Sequence, residues 1–229
     1  MTKMDNRGQC LDYQLTGGIS QVEKEILGVI LKFNEKKRQF TFKNLLKACK
    51  SQLNYPIEEI FFNLQELYKR KILVEDSQLV KVKILESPNR KLIYQLIMEN
   101  PGVQLSDLIK LADIPLQTCS WHIAILKRFE MIKTIQYKNR YCFGNVNISD
   151  NHLKIYNILK NKINKIILKE ISQNPLITLS AISEKLKMAL STLHYHINEL
   201  KTAGLISISM EGSSQFLKIS SEIQINQFF

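Results

Sequence analysis

Along residues 87–148 the apolar positions fall first at helical spacing and then at alternating spacing. Ser87-Pro88 opens a helix, because Ser suits the N-cap and Pro the first helical position. Leu92, Ile93, Leu96 and Ile97 mark its apolar face, and Asn100-Pro101-Gly102 ends it. Residues 103–105 read as a short extended link. Ser106 is placed to cap a second helix carrying Leu108, Ile109 and Leu111, and residues 112–115 form a tight turn. A third helix is predicted over about residues 116–130, with Cys119, Ile123 and Leu126 facing inward at i, i+4 and i+7. Residues 132–136 and 140–143 read as two strands around Tyr137-Lys138-Asn139.

The same pattern returns 74 positions later. Residues 90–132 align with 164–206 without a gap, and about one position in three is identical. Asn100-Pro101, Leu105-Ser106, Thr118, His122-Ile123, Leu126-Lys127 and Ile132 recur as Asn174-Pro175, Leu179-Ser180, Thr192, His196-Ile197, Leu200-Lys201 and Ile206. In the second copy Ile166, Ile167 and Ile171 line the first helix. Ser180 caps the next, with Ile182 and Leu186 inside, and Leu193, Ile197 and Leu200 face inward on the third. Ala203-Gly204-Leu205-Ile206 is a helix stop and strand start, with Gly as the C-cap.

A weaker copy precedes both. Val22, Ile26, Val29 and Ile30 mark a helix, residues 40–42 a short strand and residues 43–50 a second helix. Tyr55-Pro56 opens a third, with Ile60, Leu64 and Leu67 inward, and residues 72–74 and 79–85 complete a hairpin. The expected fold class is therefore mainly α with small β-hairpin wings, as tandem units. Residues 20–86 form a divergent winged helix, 87–148 and 162–229 two closer copies, the last with a short tail. Residues 149–161 are a helical connector that starts at Ser149-Asp150 and, having no Pro or Gly, is expected to run into the next helix. A short coiled-coil-like dimer helix is the alternative for this segment.

Three helices followed by a hairpin make a winged helix. The run Thr118-Cys119-Ser120-Trp121-His122-Ile123 resembles the third helix of archaeal and bacterial winged helix-turn-helix transcriptional regulators of the ArsR/MarR-like class. The ending Ala203-Gly204-Leu205-Ile206 fits that class as well, whereas Glu130 stands where it has its helix-ending Gly and leaves that terminus open. The resemblance implies a sequence-specific regulator that binds double-stranded DNA through two reading heads, with an archaeal source.

With the inward stripes set, Gln117, Thr118, Ser120 and Trp121 point outward from one third helix. Ser191, Thr192, His194, Tyr195, Asn198 and Lys201 do so from the other. The first turns of such a helix enter the major groove, where Gln117 and Asn198 suit adenine and the hydroxyls suit base edges or phosphate. Lys133, Lys138 and Arg140 place positive charge on the wing for backbone contact. The wing around residues 210–215 has one acid and no base before Lys218, so it should grip phosphate less well.

The first unit differs in kind. Glu58 and Glu59 sit where phosphate would approach, and Phe61 and Phe62 follow, so a protein partner or self-association is expected there. Lys36-Lys37-Arg38 is a loop-borne basic cluster suited to DNA backbone.

Composition agrees with a polyanion binder. The net charge is +11, spread as +4 over residues 1–86, +4 over 87–148 and +3 over 149–229. Cysteines at 10, 49, 119 and 142 lack metal-like spacing and suit reduced thiols. Residues 1–20 are too polar for a signal peptide, and no run approaches a membrane span, so a cytoplasmic, membrane-free location is expected. No nucleophile–base pair, phosphate loop or carboxylate dyad stands out, so neither an enzyme nor a cofactor is expected. His122 and His196 read as half-buried residues bonding a neighbouring backbone rather than as metal ligands. Two other readings stay open: a non-enzymatic adaptor in a polymerase-associated or membrane-remodelling assembly and, as a minor one, a small-molecule or metal sensor acting through Cys119.

Overall fold

The computed structural model describes residues 18–34, 41–75, 77, 79–174, 176–211 and 214–220. The cluster Lys36-Lys37-Arg38, Phe40 of the expected strand, and Cys10 lie outside them. The chain is mainly helical with small antiparallel hairpins, and it divides into two compact units. One comprises residues 1–96 and 108–133, the other 97–107 and 134–229.

The first unit opens with helices α1 (Gln21–Asn34), α2 (Phe42–Gln52) and α3 (Ile57–Lys69). A capping box starts α1: the Ser20 hydroxyl accepts from Glu23 N (3.1 Å), and the Glu23 carboxylate accepts from Ser20 N (2.8 Å). Thr41 caps α2 by accepting from Asn44 N, so Phe42 is helical rather than part of a strand. Ile26, Ile30, Leu45, Cys49, Ile60, Leu64 and Leu67 are fully buried and pack into one core. Each such aliphatic side chain contributes about 1.5–3 kcal/mol.

The expected strand over residues 79–85 is not formed. One antiparallel bridge joins Leu73 to Val80, and a 3-10 helix follows over Lys81–Glu86. Burial explains the difference. Lys81 and Ile84 are both inside, a period of three that a strand's alternation does not supply. The unit boundaries fall within helices α4 (Pro88–Glu99) and α5 (Leu105–Ala112), and α6 (Leu116–Arg128) belongs to the first.

The second unit holds two three-stranded antiparallel sheets. Strand β1 (Val103–Gln104) pairs with β3 (Arg140–Gly144), placing Val103 opposite Phe143, and β3 pairs in turn with β2 (Lys133–Tyr137). After α7 (Asp150–Leu159) and α8 (Lys162–Gln173) comes β4 (Ile177–Thr178), then α9 (Leu179–Leu186) and α10 (Leu190–Thr202). Strands β5 (Ile206–Glu211) and β6 (Ser214–Ile219) form the last hairpin, with β6 central between β4 and β5. Thr178, not Ser180, caps α9, accepting from Ala181 N at 3.2 Å. At the equivalent start of α5 the Asp107 carboxylate reaches back to Gln104 N (3.4 Å), so Ser106 lies inside the helix.

Helix α7 does not continue into α8. It stops at Lys160, and Asn161 caps the new helix by accepting from Ile163 N at 2.9 Å. Its apolar stripe is spent within the unit: Ile155, Ile158 and Leu159 join the core of α8, α10 and the last hairpin, while Leu153 packs with Ile135 and Cys142. Asn157 donates to the Gly102 carbonyl (2.9 Å). Gly102 sits at φ +74°, and a Cβ there would meet Asn157 N at 2.7 Å, so this turn needs glycine twice over.

The repeat is visible in the backbone. Left-handed residues occur at Gly102 and Leu176, Asp113 and Lys187, Glu130 and Gly204, each pair 74 apart. Glu130 (φ +51°) therefore ends α6 as Gly204 (φ +72°) ends α10. Glu130 N donates to Lys127 O and Met131 N to Leu126 O. Gly204 N and Leu205 N repeat this on Lys201 O and Leu200 O. Three expected core residues are exposed instead: Leu92, Leu111 and Ile166. Leu92 and Ile166 are equivalent. The inward stripes of α4 and α8 are 90, 93, 97 and 164, 167, 171, and each begins with a buried polar side chain, Arg90 or Asn164.

Candidate nucleic-acid interface

In the first unit α6 starts after Pro115, whose carbonyl accepts from Cys119 N. Cys119, His122, Ile123 and Leu126 form its buried face. Gln117 and Trp121 are exposed, while Thr118 and Ser120 are half-buried. Beneath the helix lies Arg90, only 4% exposed. Its Nη1 donates to Ile84 O (2.7 Å), its Nε has no partner, and no carboxylate reaches it among the described residues. The guanidinium stands 5.5 Å from the Trp121 ring centre, a cation–π contact worth about 0.5–2 kcal/mol. His122 packs its ring against Trp121 at 4.8 Å and is buried rather than half-buried. Its Nδ1 finds no partner among the described residues, so the expected backbone bond is not made. Burial, and then the charge of Arg90, hold the His122 pKa below its ordinary value.

In the second unit α10 buries Leu193, His196, Ile197 and Leu200. Ser191, Thr192, His194, Tyr195, Asn198 and Lys201 are exposed. His196 makes the bond that His122 lacks, but to a side chain: Nδ1 lies 2.7 Å from Asn164 Oδ1. The Asn164 amide nitrogen donates to Ile158 O and to Glu199 Oε2, both at 2.9 Å. That use of both N–H groups leaves Oδ1 as acceptor and His196 Nδ1 as donor. The other Glu199 oxygen accepts from Lys138 Nζ (2.5 Å) and Tyr137 OH (3.4 Å), and Lys138 also donates to Tyr195 OH (3.2 Å).

These bonds set the protonation of the pair. Burial works to raise the Glu199 pKa, but hydrogen bonds from Lys138 and Asn164, with the charges of Lys138 and His196, bring it below the ordinary value. The hydrogen bond to Glu199 raises the pKa of Lys138 despite some desolvation. Both stay charged near neutrality.

The expected wing cations have different surroundings. Lys138 sits at the hairpin turn with φ +53° and directs its ammonium to α10. Arg140 is exposed and donates to the Gln104 side-chain oxygen at 3.1 Å. Lys133 is half-buried at the start of β2. In the first unit Glu58 and Glu59 are exposed on the first turn of α3. Phe61 is 41% and Phe62 62% exposed, with Phe61 edge-on to Phe42 at 5.3 Å. Arg90, Asn164 and Glu199 escaped the sequence reading. Polar residues heading the inward stripes at 90 and 164 were the available signal.

Among the described residues no cluster of three or more His, Cys, Asp or Glu side chains could hold a metal. Cys119 is buried, and desolvation pushes its thiol pKa up, away from a thiolate ligand. No helix there is long and apolar enough to cross a membrane.

A family profile described as winged helix-turn-helix DNA-binding matches residues 86–133 and again 160–207. The chain carries two tandem winged helix-turn-helix regions. Both matches run from the stripe holding Arg90 or Asn164 to the strand after α6 or α10. An uncharacterised HTH-type transcriptional regulator of Methanocaldococcus jannaschii is 27% identical over 191 residues. That alignment covers 74% of this chain and 48% of the relative, so the chain spans about half the relative's length. A chain in the crystal structure of the endosomal complex ESCRT-II is 16% identical, with 97% of this chain and 98% of that one covered, at a TM-score of 0.24.

Proposed function

We propose that this protein is a transcription regulator that reads specific double-stranded DNA through two helix-turn-helix units carried in one chain, centred on α6 and α10. One observation carries the reading. At the same place in both repeats a helix with a buried apolar face offers uncharged polar and aromatic groups to solvent: Gln117 and Trp121 on α6, Thr192, Tyr195 and Asn198 on α10. Such groups suit base edges, and the net charge of +11 suits the phosphate rails. The M. jannaschii relative, itself called an HTH-type regulator, supports the same direction. Lys133, Arg140 and, once released from Glu199, Lys138 supply backbone contacts in this reading.

The test is duplex binding titrated against salt. The log–log slope is expected to be near −0.9 for each phosphate contacted. Asn198→Ala should cost roughly 1–3 kcal/mol at selected base positions and little elsewhere. Binding that ignores salt, or an Asn198→Ala loss equal on all sequences, overturns base reading by α10.

We also propose that residues 20–86 bind a protein partner or a second copy rather than DNA. Phe61 and Phe62 stand exposed beside Glu58 and Glu59, and an acidic, aromatic surface is a poor phosphate seat.

A further inference from the structure

Within the second unit, β2–β3, the end of α7 and the middle of α10 wall an open cleft of about 520 Å³. That is the size of a small-molecule site. Its charged groups are Lys138, Arg140 and Glu199, two cations against one carboxylate. Glu199 is already taken, by Lys138 and by Asn164. Arg140 is not neutralised. Its one bond among the described residues goes to the uncharged Gln104 amide, and no carboxylate reaches it. A guanidinium offers a planar fork of donors that matches a phosphate or carboxylate.

The other walls add specific chemistry. Asn161 uses its amide oxygen to cap α8, which leaves its NH2 group for a ligand acceptor. Tyr195 is 57% exposed and presents an aromatic ring on the cleft, 5.3 Å from the Lys138 ammonium. Cations, an amide donor and a ring together fit a molecule with an anionic end and a planar end. The cleft is concave and of small-molecule size, and a phosphate held there occupies the same Arg140 and Lys138 that would otherwise meet a duplex backbone.

We propose that this cleft binds a small phosphate ester of the nucleotide class, with its phosphoryl group on Arg140 and Lys138 and its planar part against Tyr195. An anion there competes with Glu199 for Lys138. Its binding loosens the tie between the hairpin and α10 and changes what α10 offers to solvent. That regulatory consequence rests on the reading of α10 as a DNA-reading helix; the binding site does not.

The experiment is calorimetric titration of the full chain with adenosine monophosphate and with inorganic phosphate, beside duplex binding of the same samples. Saturable binding of adenosine monophosphate, tighter than that of phosphate, is expected. Arg140→Gln should weaken it by at least about tenfold. Asn161→Asp keeps an N-capping side chain and adds a negative charge to the cleft, so it should weaken binding while the protein stays folded. No saturable binding, or binding that both substitutions leave unchanged, overturns the site. Arg140→Gln acting on duplex binding alone also overturns it and assigns Arg140 to the DNA backbone. Ligand binding without any duplex binding keeps the site and removes the DNA-reading proposal instead.

Discussion

Glu199→Gln separates two consequences of one ion pair. The substitution keeps shape and removes charge from the carboxylate that holds Lys138, Asn164 and Tyr137. A hydrogen bond to a charged group contributes about 1.5–3 kcal/mol, whereas exposed ion pairs contribute about 0–1. The Glu199 side chain is 12% exposed and that of Lys138 53%, so this pair lies between those limits. A loss of about 1–2 kcal/mol is expected in urea unfolding at neutral pH. The pH dependence has a definite sign. The Glu199 pKa is lowered in the folded state, so its stabilisation is present above the unfolded value, about 4.3, and is lost as pH falls through the folded value. The variant should lack that acid-side loss. DNA binding should move the opposite way. Lys138 becomes free for phosphate, and α10 loses a negative charge. The salt slope should steepen by roughly 0.9, one added contact, with tighter binding at low salt. Destabilisation with an unchanged or shallower slope would refute the idea that Glu199 withholds Lys138 from DNA.

Two further outcomes follow from the geometry. Glu130→Gly removes a left-handed strain of about 1–2 kcal/mol but adds about 0.5–1 kcal/mol of backbone entropy to the unfolded chain. It also removes the attraction to Lys81, so a net gain below about 1 kcal/mol in urea unfolding is expected, and a loss above that figure would show that Glu130 does more than end a helix. Phe62→Asp should lower any self-association seen by sedimentation velocity without lowering the melting temperature, because this ring is 62% exposed; an unchanged sedimentation profile in an associating protein would place the contact elsewhere.

Much of this was legible in the sequence, and the exceptions share a cause. The start of α4 at Pro88, the Ser149 cap of α7 and the Gly204 stop of α10 each follow from one residue type with one backbone use. The inward stripes of α6 and α10 follow from periodicity alone. What escaped were positions where tertiary context overrides residue type. Glu130, Asp113, Lys187 and Leu176 take left-handed conformations with no glycine to announce them. Lys81 is buried in a 3-10 turn where alternation suggested a strand. Asn161 interrupts an apolar helix pattern and breaks it, a signal that was present but outweighed by the absence of Pro and Gly. For the candidate site, the outward residues of α6 and α10 were named, but the partners that hold them were not. Lys138 looked like a free wing cation because its carboxylate is 61 residues away.

The repeat also shows why α6 and α10 are not interchangeable. Position for position, Arg90 and Asn164 donate to equivalent carbonyls, Ile84 and Ile158, beneath equivalent histidines. Two residues before Lys127 and Lys201 the copies part: Glu199 has Ile125 as its counterpart. The first copy lacks that carboxylate; among the described residues none neutralises Arg90, which turns to the face of Trp121 instead. With it, the second copy accepts an uncharged Asn164 and reaches out to capture Lys138. The exchange at 125 and 199 therefore goes with a different backing for the exposed aromatic at the outer edge, Trp121 against a fixed charge and Tyr195 bonded to a removable one. Under the proposed DNA reading, two heads built this way should respond differently to salt and to small anions, with α6 engaging DNA constantly and α10 on condition.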